Sequence, residues 1–348
     1  MPDRNQTRYG SAKATSMADP AAEAGHWKRE LATAFTDAEG LLDFLALAPD
    51  QLSPILRKPR SFPILVPRRF ALLMRRGDPD DPLLRQVLPL AAEATVAPGY
   101  RADPVDDAAA RRAPGLLQKY SGRALLIATG ACAVHCRYCF RRHFPYGEES
   151  GQHDRFASAL AALATAPEVD EIILSGGDPL MLDDAALARL IDALEQQPEL
   201  KRLRLHTRIP SILPSRITDA LCDRLTASRL QVVIVVHVNH PAELDADAGR
   251  ALRGLSDLGA TLLNQSVLLR GVNDDECTLA ELSEGLFRLR IVPYYLHLLD
   301  PVSGAAHFDV PEPEARALVT RLRHRLPGYL VPRLVREQSG APAKTVLL

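Results

Sequence analysis

An α/β fold organised as a partial (β/α)6 barrel follows from three features of this sequence. Beyond residue 120, short apolar runs alternate with amphipathic stretches of helical length, the pattern of a parallel sheet whose strands return through helices. Six such runs can be counted, fewer than the eight that close a barrel. Polar residues collect where the runs end, which is where parallel α/β folds form their sites. A doubly wound open sheet is the alternative architecture for the same alternation.

Taken in order, residues 1–20 (MPDRNQTRYGSAKATSMADP) are small and polar and predict a disordered tail, with Met17 as an alternative start. From residue 21 to 58 apolar side chains return at helical spacing, making Trp27, Leu31, Phe35, Leu41, Leu42 and Phe44 candidates for burial. Prolines and turn pairs then interrupt the chain (KPRSFPILVPRRF, RRGDPDDPLLRQVLP), so residues 21–115 form a helical and loop-rich region laid over something else.

The core is assigned to residues 116–310 and a C-terminal segment to 311–348. The six runs are RALLIAT (123–129), EIILS (171–175), RLRLHT (202–207), QVVIVVHV (231–238), TLLNQSVLL (261–269) and IVPYYLHLL (291–299). Between the second and third, DDAALARLIDALEQQ (183–197) opens on aspartates suited to capping a helix N-terminus. At the rim, a cysteine-rich stretch follows the first run and SGGDP (175–179) the second. His206 and Arg208 close the third, and His237, Asn239 and His240 the fourth. Gln265 lies in the fifth, and His297 and Asp300 end the sixth.

Composition bounds the function. Hydrophobic residues make up 47% and charged residues 24% of 348, enough to bury a large core without staples. The net charge of −1, from 42 basic and 43 acidic side chains, gives no global field for nucleic acid or an anionic membrane. No signal-peptide apolar region opens the chain, and no run approaches the ~20 apolar residues of a membrane span. Five cysteines, three of them clustered, argue for metal or redox chemistry in a reducing compartment, the cytoplasm.

The cluster is GACAVHCRYCF, with Cys132, Cys136 and Cys139 at C-x3-C-x2-C spacing. A zinc site would want a fourth ligand, which His135 or His143 could supply. A C-x-x-C redox pair would use only Cys136 and Cys139. A [4Fe–4S] cluster held through three irons accounts for the number three and leaves the fourth iron open to a ligand.

C-x3-C-x2-C on the loop after the first strand, with CRYCF and the downstream SGGDP, resembles the radical S-adenosylmethionine superfamily. That resemblance implies a partial barrel of radical SAM type, a [4Fe–4S] cluster on the three cysteines, and S-adenosylmethionine received at Ser175, Gly176, Gly177 and Asp178. Together RRHFPY, SGGDPL, LNQSVLLRGVND, PYYLHLLDPVSGAAHF and GYLVPRLVREQSGAPAKT resemble the lysine 2,3-aminomutase family, from about Asp80 to Lys344. The similarity is to its short bacterial branch, which makes (R)-β-lysine for the modification of elongation factor P.

The family resemblance implies a second cofactor, pyridoxal 5′-phosphate, held as a Schiff base on Lys344, so that the C-terminal segment is a cofactor-binding tail. It implies that Arg123 binds the phosphate and Arg141 the substrate carboxylate. Asp300 and Glu337 would receive the substrate ammonium, and His237 and Gln265 would contact the adenosyl group. It implies further partners: L-lysine, a reductant such as flavodoxin or ferredoxin, and a functional link to elongation factor P and its lysine ligase. A glutamate or arginine 2,3-aminomutase would share nearly all these motifs. From another class, a zinc-stapled binding module of the translation machinery would share the thiols.

Overall fold

The computed structural model describes residues 20–48, 62–149 and 156–348. The expected tail before Pro20, with Met17, and the end of the 21–58 helical stretch lie outside the described residues. Ten strands form one sheet in chain order. These are β1 (Arg111–Ala113), β2 (Leu116–Tyr120), β3 (Arg123–Thr129), β4 (Glu171–Gly176) and β5 (Arg202–Thr207). They continue with β6 (Gln231–Val236), β7 (Thr261–Val267), β8 (Val292–His297), β9 (Arg333–Arg336) and β10 (Thr345–Val346).

Strands β3 to β8 are the six apolar runs, paired parallel in sequence order. A further parallel strand, β9, lies beside β8 and was not expected. The hairpin β1–β2 extends one edge and β10 the other, both antiparallel. The sheet is curled rather than flat. A single cavity is lined by Arg123 of β3, Ser175 of β4, His206 of β5, Gln265 of β7, His297 of β8 and Glu337 just past β9. In a flat sheet, six steps of ~4.8 Å would hold β3 and β9 about 29 Å apart.

Helices cover the outside of this sheet. The one at Asp184–Glu195 starts where expected: Asp183 accepts a hydrogen bond from the Ala186 N–H at 2.9 Å, and Leu187, Leu190, Ile191 and Leu194 turn inward. N-terminal helices at Pro20–Ala32 and Ala38–Leu45 bury Trp27, Leu41 and Leu42, with Phe35 between them, against the same core, while Leu31 and Phe44 are partly buried. No helix among the described residues is long and apolar enough to cross a membrane.

This N-terminal layer also holds the cysteine stretch. The N–H of His135 donates to Leu65 O at 3.0 Å and that of Arg137 to Gln86 O at 2.8 Å. Beneath them Glu93 accepts from both Arg137 and Arg142, all three side chains almost fully buried. A buried carboxylate between two guanidiniums tolerates loss of no partner, because the remainder is left charged and dry. These contacts hold the cysteine loop against the N-terminal layer.

Candidate active site

Cys132, Cys136 and Cys139 line a cavity of about 160 Å³ together with Gly176, Gly177, His237 and Gln265. All three thiols are free and partly buried. Burial, and then the charge of neighbouring thiolates, pushes Cys132 well up and Cys139 to about 11. Thiols that raise one another this way ionise together only around a cation that replaces their lost solvation. Among the described residues no group of three or more His, Cys, Asp or Glu side chains gathers as a single metal ion needs. His135 Nδ1 lies 3.0 Å from Pro63 O and His143 Nε2 3.1 Å from Ser303 O, so one ring nitrogen of each is engaged by backbone.

The glycine-rich turn after β4 packs directly on the cysteine loop. Gly177 N–H donates to Thr129 O at 2.7 Å and Asp178 N–H to Ala131 O at 2.8 Å. A Cβ on Gly177 would lie 2.2 Å from Ala131 O, and Gly176 adopts φ +115°, so both positions require glycine. Asp178 follows directly, and its side chain is held in place by hydrogen bonds. Its carboxylate is taken by the Thr207 hydroxyl at 2.8 and 2.9 Å and by the N–H groups of Arg208 and Leu180. Burial pushes its carboxyl up to about 6 against those donors. It lines the cavity but ties the β4 loop to the β5 loop.

A second cavity of about 350 Å³ continues from the first, sharing Arg141, Ser175, His237, Gln265, His297 and Asp300 as walls. Lys344 reaches it from between β9 and β10, with Nζ 2.8 Å from Glu337 Oε2, and the Tyr120 hydroxyl donates to the other Glu337 oxygen. Burial would raise the Glu337 carboxyl, yet the Lys344 ammonium and the Tyr120 hydroxyl hold it below its ordinary value. Asp300 goes the other way: burial lifts it to about 7, Lys344 opposing and Glu337 adding to the rise. Its Oδ1 is buried with no hydrogen-bond partner among the described residues. Such an acceptor suits an incoming cation.

Arg141 is buried, with Nε donating to Asp107 Oδ2 at 2.7 Å and Nη1 to Ser175 Oγ at 3.2 Å, and its plane lies over Phe140 at 4.8 Å. Arg123 packs over the Tyr120 ring at 4.6 Å on the cavity wall. Beside them stands Arg204, ion-paired to Glu171 through Nη2 with a buried Nε that has no partner among the described residues. His206 Nδ1 and His237 Nε2 are 3.1 Å apart; burial keeps both rings neutral, His237 falling to about 4.

All the site residues expected from the sequence thus line one continuous cavity. Asp107, Lys119, Tyr120, Arg204 and Tyr295 line it too and were missed. A signal existed for Arg204. In a strand covered on both faces every position should be apolar, and Arg202, Arg204 and His206 alternate with buried Leu203, Leu205 and Thr207, which betrays a polar lumen.

Comparison with known proteins accords with this geometry. A family model described as the Radical SAM superfamily matches residues 126–282. The L-lysine 2,3-aminomutase of Escherichia coli (strain K12) is 49% identical over 322 residues, 92% of this chain and 94% of that protein. That of Haemophilus influenzae is 46% identical, covering 93% of this chain and 96% of its own. That of Buchnera aphidicola subsp. Baizongia pistaciae is 41% identical, covering 91% and 94%. These matches overturn the zinc-stapled binding module. The chain belongs to the lysine 2,3-aminomutase family of radical SAM enzymes and is an isomerase.

Proposed function

We propose that the chain converts L-lysine to (R)-β-lysine, moving the amino group from C2 to C3 with a [4Fe–4S] cluster, S-adenosylmethionine and pyridoxal 5′-phosphate. The observation that carries the substrate is the acid pair. Buried Asp300 and Glu337 both act on the ammonium of Lys344, the group a substrate lysine would itself bring. The cluster and S-adenosylmethionine are implied by the superfamily.

Cys132, Cys136 and Cys139 would hold the cluster. The turn from Ser175 to Asp178, with His237 and Gln265, would receive S-adenosylmethionine. Lys344 would hold pyridoxal phosphate, its phosphate beside Arg123 and Arg204. Bound there, the cluster and S-adenosylmethionine supply one-electron hydrogen abstraction, and pyridoxal phosphate supplies a π-system that lets nitrogen migrate.

The remaining work falls to side chains. Arg141, locked on one edge by Asp107, offers the rest of its fork to a carboxylate. Asp300 and Glu337 take the far ammonium. Fixing both ends of a flexible amino acid holds its reacting carbons in place, which is where an enforced geometry contributes most. A proton leaving Lys344 Nζ has Glu337 Oε2 at 2.8 Å to receive it. His206, His237 and His297 are buried and neutral, so the cavity between the two cofactor sites carries no imidazolium.

A glutamate substrate would add a third carboxylate to Asp300 and Glu337, at a cost of several kcal/mol. An arginine substrate also brings a cation and must be separated by assay. Incubation without oxygen with L-lysine, S-adenosylmethionine, pyridoxal phosphate and dithionite, followed by chiral analysis, should give (R)-β-lysine. Conversion of glutamate or arginine in preference to lysine would overturn the reading.

The proposal extends to the cell. The motifs resemble the branch serving elongation factor P, so the product would pass in the cytoplasm to a lysine ligase acting on that factor, with flavodoxin or ferredoxin as reductant. Mass spectrometry of elongation factor P from cells lacking this chain tests the link: the β-lysyl mass should disappear.

A further inference from the structure

Arg208, just past β5, is 7% exposed and held from several directions. Nη2 donates to Gln86 Oε1 at 2.6 Å and pairs with Glu243 Oε2 at 3.2 Å. Its plane lies between the rings of Phe70 and Tyr138, 5.6 and 5.7 Å away. Its backbone N–H donates to Asp178 Oδ2 at 2.8 Å, so the residue cannot withdraw without opening the glycine-rich turn. Nε is buried with no partner among the described residues, and Nη1 donates to the Cys136 sulfur at 2.8 Å.

We propose that Arg208 is a positioning residue that sets the reduction potential of the cluster held by Cys136, as a buried cation hydrogen-bonded to one ligand sulfur. Reduction adds one electron, from a low-potential one-electron donor, and one unit of negative charge; no bond of the protein breaks. A fixed cation at hydrogen-bond distance, out of water, favours the more negative oxidation state. Hydrogen bonds to the sulfurs and local charge are among the levers that set iron–sulfur potentials. Glu243 partly offsets the cation, and Gln86 helps hold its fork on the sulfur. A chain lacking Arg208 would still own three cysteines but would be harder to reduce.

The inference rests on the cluster assignment, and the test separates the two. A wild-type protein that reconstitutes no [4Fe–4S] cluster would sink the assignment, whereas a cluster with an unmoved potential would sink only the role of Arg208. Wild type, Arg208→Gln, Arg208→Lys and Glu243→Gln are reconstituted without oxygen, their iron and sulfide measured, and their midpoints read by spectroelectrochemical titration. Arg208→Gln should load the cluster yet be harder to reduce by at least tenfold in equilibrium constant, about 59 mV for one electron. Arg208→Lys should recover most of that shift, and Glu243→Gln should move the opposite way. A wild-type midpoint in Arg208→Gln overturns the proposal. Should that variant load no cluster, Glu243→Gln decides: a rise supports the proposal, and no change or a fall overturns it.

Discussion

Replacing Asp300 by asparagine keeps the shape of a buried side chain and removes one charge from the acid pair. In the free site its carboxyl sits near 7, raised chiefly by burial, and Oδ1 has no partner among the described residues. A substrate ammonium would fill that gap and draw the proton off. A hydrogen bond between charged groups contributes about 1.5–3 kcal/mol. Glu337, the other acid of the pair, is shared with Lys344 and Tyr120 and compensates only in part. At 1.36 kcal/mol per decade, a loss of about 2–3 kcal/mol lowers kcat/KM roughly 30- to 150-fold.

Most of that loss should appear in KM. On the proposed reading the ammonium would lie far from the migrating nitrogen and be held equally in ground and transition states. The pH dependence has a definite sign: if Asp300 binds the ammonium, it does so as carboxylate, so wild-type affinity for lysine should improve as pH rises through 7 and then level off. The variant should lack that step. Steady-state assays without oxygen between about pH 6 and 9, at matched pyridoxal loading read by absorbance, measure both effects. An Asp300→Asn protein with the wild-type KM for lysine would refute the two-acid argument.

Other expectations are as direct. Lys344→Ala should lose the absorbance of the pyridoxal Schiff base and all turnover, while keeping the iron–sulfur spectrum. Arg204→Gln should weaken pyridoxal phosphate binding about tenfold in a fluorescence titration, since one cation leaves the phosphate end. Gly177→Ala drives a Cβ to 2.2 Å from Ala131 O, so backbone must move; overpacking of this kind costs about 1–3 kcal/mol and should lower both Tm and S-adenosylmethionine affinity. Glu93→Gln leaves Arg137 and Arg142 buried without their carboxylate, a loss of about 3–5 kcal/mol read from a denaturant midpoint. Glu93 is held below its ordinary value by the two arginines despite burial. Its contribution is therefore present above the unfolded-state value and fades as pH falls through the folded one, so the deficit of the variant should shrink in acid.

The six parallel strands were legible because short apolar or alternating runs recur between helical stretches, and runs of that length in that setting have few other uses. The rim was legible for the same reason: once the strands are placed, their ends are placed. Lumen-facing positions inside strands were harder. Arg204 sits mid-strand, where its alternation with buried leucines signals a polar face but not which residues meet across the lumen. Asp107 and Lys119 come from the loop before β1 and from β2, where no periodicity points anywhere. The anchoring of Asp178 was not legible, because its carboxylate answers donors from a strand that follows nearly thirty residues later.

The unanticipated strand is the one that places Lys344. RLVR offers two apolar residues between arginines, too short to register as a run, yet β9 pairs parallel with β8 through Tyr295, Leu296 and His297. The chain then turns back, and β10 pairs Thr345 with Arg336 and Val346 with Val335. Glu337 and Lys344, one step inward from Arg336 and Thr345, are therefore drawn across from each other at the neck of a hairpin, and their 2.8 Å contact follows from strand pairing. The sheet itself thus orders Lys344, with its acid beside it, as a residue of the cavity wall.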